Sequence, residues 1–212
     1  MDGVLLDSEP LWWRAGIAAL RTVGVHLRDD QCIETMGLRT DAAIDHWFKQ
    51  YSWVGKSCRD IELEVEARVL KSIHNEAQPL PGVHALVGFL SERGIPIGLC
   101  SSSPYSVIDA VLQKLNLRNY FQFAYSAQEE PLGKPHPGAY LSCASRMRVA
   151  ANRCIAFEDS LAGAVSAKAA QMKVVAVPRQ SYSQLTVFDF CDARLSSLIV
   201  FTPDLLERML PI

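Results

Sequence analysis

The sequence predicts an α/β protein, a doubly wound parallel sheet with an inserted helical cap domain, and three observations carry that prediction. Residues 10–80 place apolar side chains at helical spacing almost throughout. After the Pro79-Leu80-Pro81-Gly82 punctuation the rhythm changes to helices alternating with short apolar strands. Those strands are continuously apolar rather than alternating, as expected where helices cover both faces of a sheet.

Taken in chain order, residues 1–9 belong with the sheet. Leu11, Ile17, Leu20 and Val23 then share one helix face and Ile61, Val65, Val69 and Ile73 another, with Gly24, Gly37 and Gly55 as interruptions. Residues 10–80 are therefore expected to pack as several short helices, and 1–9 with 81–212 to form the α/β core. Within the core the expected helices are 83–93, 105–115, 138–146 and 161–170, and the expected strands 97–100, 154–157 and 174–177.

With 212 residues, 49% apolar and 21% charged, the chain can bury a core of one or two domains. A formal net charge of -2 gives no electrostatic reason to expect nucleic acid or an anionic membrane as partner. Apolar runs such as 173–177 and 197–201 are far too short to span a bilayer, and no signal-peptide pattern opens the chain. A cytoplasmic monomer is expected. The six cysteines lack CxxC pairing and read as buried free thiols, and the histidines show no zinc-binding spacing.

In such sheets ligands sit beyond the carboxyl ends of the strands, and those positions are polar here. Ser101, Ser102 and Ser103 follow one strand, and Glu158, Asp159 and Ser160 another. A serine hydroxyl beside helix-start N–H groups suits a phosphate oxygen, although Ser-Ser-Ser-Pro is also a good turn and N-cap. Glu158 and Asp159 are the paired carboxylates a hard cation such as Mg2+ requires, while Asp159 or Ser160 also suits as cap of the following helix. Lys134 stands between Gly133 and Pro135-His136-Pro137, where two prolines stiffen the backbone around an ammonium suited to a phosphoryl group.

Segments 1–10, 99–104, 133–137 and 157–160 occur in the order of the four motifs of the haloacid dehalogenase (HAD) superfamily, which the chain resembles over essentially its whole length. Asp7-Ser8-Glu9-Pro10-Leu11-Trp12 further resembles that family's 2-deoxyglucose-6-phosphate and hexitol-phosphate phosphatases, in its beta-phosphoglucomutase-like subgroup. The resemblance implies a Rossmann-like core and magnesium-dependent hydrolysis of phosphomonoesters of small sugars or sugar alcohols through a phosphoaspartate. It implies Asp2 as general acid and base, Ser101 and the Ser102 amide as phosphoryl holders, and Lys134 as the neutralising charge. Magnesium would be held by Asp159, Glu158, directly or through water, and the Asp2 main-chain carbonyl.

The helical unit corresponds to a cap that excludes water and chooses the leaving group. Trp12 and Trp13 offer apolar walls or packing between helices, and Glu9, Arg39 and Ser103 are candidates for sugar hydroxyls, Arg39 fitting a solvated helix start as well. The resemblance also places the attacking aspartate and its central strand immediately before Met1, so the chain as given is expected to lack both and to be inactive. An internal methionine of a longer natural protein is the favoured account, since every remaining site group is intact; a truncated phosphate- or metal-binding protein is the alternative. A sugar phosphomutase is the nearest rival reaction, and mutases of this type resemble one another in a histidine where Trp12 stands.

Overall fold

A computed structural model describes residues 1–179 and 186–209. The opening residues make a tight turn, in which the Leu5 N–H donates to the Met1 carbonyl at 2.7 Å and the Gly3 N–H to the Leu6 carbonyl at 2.9 Å. Leu6 bridges Pro79, and the Leu80 N–H donates to the Leu5 carbonyl at 2.9 Å. The chain therefore leaves the core and returns to it along two adjoining passages.

Between those passages lie α1 (Glu9–Arg21), α2 (Thr40–Tyr51) and α3 (Cys58–Glu76). Pro10 stands in the first turn of α1, where its missing N–H is no loss. At the start of α3, Ser57 and Asp60 form a reciprocal capping box. Ile61, Val65, Val69 and Ile73 line the buried face of α3, as their spacing predicts. On α1 the buried line is instead Leu11, Ala15 and Ala19 with Leu20, while Ile17 is only half-buried, as is Val23 in the turn beyond the helix. Alanines let the helix axes of α1 and α3 approach, so the small residues, not the larger β-branched ones, take the contact.

The core continues with α4 (Val83–Glu92), β1 (Gly98–Ser101), α5 (Tyr105–Lys114), β2 (Phe123–Ser126), α6 (Gly138–Arg146), β3 (Ile155–Glu158), α7 (Leu161–Ala169), β4 (Lys173–Ala176), β5 (Ala193–Arg194) and α8 (Pro203–Met209). Every ladder is parallel. Leu99 packs into the cluster that holds α4 and α5, while Cys100 and Tyr125 pack on the α6 side, so helices cover both faces. β1 and β3 each run one residue further than the apolar pattern predicts, because Ser101 pairs with Ser126 and Glu158 with Ala176. Strands β2 and β5 have no counterpart among the sequence expectations; one is a short mixed segment and the other has two residues.

The ladders form two sheets, β1 with β2 and β3 with β4 and β5. The Ile97 carbonyl accepts from the Gln122 N–H, and the Cys154 carbonyl from the Lys173 N–H. Alternate residues of a parallel strand serve opposite neighbours, so Gly98 and Cys100 turn their peptide groups away from β2, and Ile155 and Phe157 away from β4. Those four residues line one apolar cleft of about 250 Å³, together with Met1 and Leu5.

Candidate active site

The carboxyl ends of β1 and β3 meet the helical unit at a second pocket, of about 160 Å³, lined among others by Asp2, Glu9, Trp12, Ser101, Lys134 and Asp159. The opening turn aims Asp2 into it. Asp2 Oδ1 accepts from Ser8 Oγ at 2.5 Å and Trp12 Nε1 at 2.9 Å. Its Oδ2 accepts from Ser103 Oγ at 2.8 Å and Ser101 Oγ at 3.4 Å. Burial pushes the Asp2 carboxyl up, but the Met1 ammonium and the Ser8, Trp12 and Ser103 donors outweigh it and hold the group below its ordinary value.

The serine turn serves geometry and chemistry at once. Ser101 Oγ accepts the Ser103 N–H at 3.1 Å, closing the turn into α5 while its hydroxyl stays beside Asp2. Ser102 Oγ reaches across to the Gly37 carbonyl of the helical unit at 3.1 Å. Ser103, a candidate for sugar hydroxyls, lines the pocket and donates to Asp2.

Lys134 Nζ lies 2.5 Å from Glu158 Oε1, with side chains only 7% and 6% exposed, so neither charge has water to rely on. The Tyr140 hydroxyl donates to the same oxygen, and Ser160 Oγ to Oε2 at 3.3 Å. Burial alone would lower Lys134 and raise Glu158; their mutual attraction reverses both, leaving Lys134 above and Glu158 below its ordinary value. Ser160 also accepts the Gly163 N–H at 3.1 Å and so caps α7, which frees Asp159 from that duty.

Asp159 packs against Gly3, whose φ is +64°; a Cβ there would fall 1.8 Å from Asp159 Oδ2. Only glycine lets the opening turn come this close. Burial first, then the Glu158 charge, push the Asp159 carboxyl up to about 8. Among the described residues no cluster of three metal-ligating side chains is preassembled. The donor chemistry nevertheless fits a hard cation, because Asp159 is a half-buried carboxyl short of positive charge against the Gly3 turn. Glu158 faces Lys134, which suits it to a water-mediated place around such an ion.

Trp12 and Trp13 both line the pocket; Trp12 also holds Asp2, and Trp13 has the Arg179 guanidinium 6.0 Å from its ring. Glu9 is a buried wall residue whose Oε2 pairs with Arg179 Nη1. Arg39 stands apart from the Asp2 pocket and is no solvated helix start. Its Nη1 donates to the Ala127 and Glu130 carbonyls at 3.1 and 2.6 Å, fastening the helical unit to the core. Ser8, Tyr140 and Arg179 escaped the sequence reading. Ser8 sits within the quoted Asp7-to-Trp12 segment, but nothing in the linear pattern points to the other two.

Residues 1–177 match the family described as haloacid dehalogenase-like hydrolase. The chain is 38% identical over 203 residues to hexitol phosphatase B of Escherichia coli (strain K12), covering 95% of this chain and 91% of that protein. It is 30% identical over 182 residues to fructose-1-phosphate phosphatase YqaB of the same strain, covering 84% and 93%. Among solved structures, CbbY from Rhodobacter sphaeroides in complex with phosphate has a TM-score of 0.87 at 20% identity, over 94% of this chain and 92% of that one. A beta-phosphoglucomutase from Clostridium difficile has a TM-score of 0.85 at 23% identity, over 98% and 93%. At those identities the structural likeness speaks for the fold. Since the matched span takes in Asp2, the serine turn, Lys134, Glu158 and Asp159 together, the chain belongs to the haloacid dehalogenase-like hydrolases.

Proposed function

We propose that this chain is the acid/base, phosphate-binding and cation-binding part of a magnesium-dependent phosphatase acting on small sugar or sugar-alcohol phosphates through a phosphoaspartate. One observation carries this reading: Asp2 has both oxygens fixed by hydrogen bonds from Ser8, Trp12, Ser103 and Ser101 at the pocket that also holds Lys134 and Asp159. The names of hexitol phosphatase B and fructose-1-phosphate phosphatase YqaB support a polyhydroxylated leaving group.

Asp2 hands a proton from a carboxyl oxygen to the departing sugar oxygen and takes one back from the attacking water. The Ser101 hydroxyl and the Ser102 N–H hold phosphoryl oxygens, and Lys134, kept charged by Glu158, balances the negative charge that develops there. Magnesium, held by Asp159, the Asp2 carbonyl and Glu158 through water, would supply charge neutralisation at the phosphoryl group. Asp2, Glu9 and Glu158 are engaged and Asp159 is given to the cation, so we assign the attack to an aspartate ending a strand that fills the cleft between β1 and β3. Trp12 standing where mutases of this type resemble one another in a histidine favours hydrolysis over transfer.

The test compares phosphate release from a panel of sugar phosphates, with magnesium, by this chain and by one extended before Met1 with an Ile-Phe-Asp-like strand. Release by the extended form alone is expected. Turnover by the chain as it stands would overturn the assignment of the nucleophile, and silence from both would favour a binding-only protein.

A further inference from the structure

Arg179 follows β4 and reaches the first residue of α1, 170 positions away in the chain, where Nη1 pairs with Glu9 Oε2. Its Nη2 donates to both carboxylate oxygens of Asp7, at 2.8 and 2.9 Å. Glu9 is 7% exposed and lines the same pocket as Asp2, Glu158 and Asp159, whereas Asp7 is exposed. Four carboxylates thus converge on a pocket whose one lysine, Lys134, is already committed to Glu158. A phosphate dianion brought there meets repulsion from every carboxylate left unpaired.

We propose that Arg179 is a positioning residue for the ligand pocket: it neutralises Glu9 from outside the pocket wall, so that a phosphate dianion can be accepted, while Asp7 steadies the guanidinium from the solvent side. This rests on the phosphatase reading. Arg179 makes no contact with the phosphate itself and acts only through Glu9. A guanidinium suits the task because it spans two carboxylates at once, which a lysine ammonium does less well.

The experiment measures calorimetric binding of inorganic phosphate, with magnesium present, to the full chain and to R179A, R179K, E9Q, R179A/E9Q and D7N. R179A is expected to weaken binding about fivefold, a typical size for coupling between neighbouring groups. R179K should recover part of that loss, and D7N should stay within about twofold of the parent. In the E9Q background the Arg179 substitution should have no further effect. An unchanged affinity in R179A, or a loss of equal size in the E9Q background, would overturn the proposal. If the parent chain binds no phosphate, the phosphatase reading fails, and the pairing is then judged by a double-mutant cycle in urea unfolding. A coupling between Arg179 and Glu9 sustains the neutralising contact, and its absence overturns it. Should R179A not fold, R179K and R179Q take its place in both measurements.

Discussion

Lys134 and Glu158 give up solvent together, and each keeps its charge because the other is there. Removing one partner leaves an unpaired buried ion, so Glu158→Gln is expected to cost about 3–5 kcal/mol in urea unfolding. Replacing both residues by apolar ones should cost less than either single change. Because Glu158 titrates below its ordinary value in the folded chain, its contribution is full above the unfolded carboxylate pKa. It is lost as pH falls through the lower folded value, so the gap between parent and E158Q should shrink below about pH 4. Asp159 has the opposite sign, raised to about 8, and magnesium should relieve it. The expected outcome is a higher unfolding midpoint on adding magnesium to the parent, and a much smaller rise in Asp159→Asn. Trp12→Phe keeps the ring but removes the N–H that holds Asp2 at 2.9 Å. In the strand-extended form it should lower kcat about tenfold with little change in KM, as expected for a hydrogen bond to a charged group.

At the level of elements, the helices of the core were legible because each starts after a turn residue and keeps a steady apolar face; α6 (Gly138–Arg146) matches its expected span. The strand ends were displaced by one residue, since a ladder continues through Ser101 and Glu158 whatever their polarity. Local pattern also found Lys134, Glu158, Asp159 and the serine turn, all at strand ends or in stiffened loops. It missed Tyr140 and Arg179, whose partners lie 18 and 170 residues away, because a side chain's reach across the fold leaves no local trace. Arg39 shows the same limit: its position at the start of α2 suggested solvent or sugar, yet its guanidinium ends on core carbonyls. That contact ties one unit to the other, so Arg39→Ala should speed cleavage by proteinase K, a protease of broad specificity, at the two passages near Leu6 and Pro79. Intact α2 and α3 by circular dichroism would separate undocking from unfolding, and unchanged cleavage would count against the role.

Over the whole molecule, the expected parallel α/β architecture is present, with its sheet in two parts that border one apolar cleft. An added apolar strand should bury surface there at about 25 cal/mol per Å², and pair the outward-turned groups of Gly98, Cys100, Ile155 and Phe157. The extended form is therefore expected to unfold at a clearly higher urea concentration than this chain, with a larger m-value reflecting the extra area buried. Among the described residues the two sheet parts share no ladder. Side-chain packing and side-chain bonds such as Lys134–Glu158 and Tyr140–Glu158 join them in place of a backbone ladder, a weaker means of making two regions open together. Native-state hydrogen exchange should find the amides of β1 and β2 protected to a different free energy than those of β3 and β4, two foldons where a continuous sheet would show one.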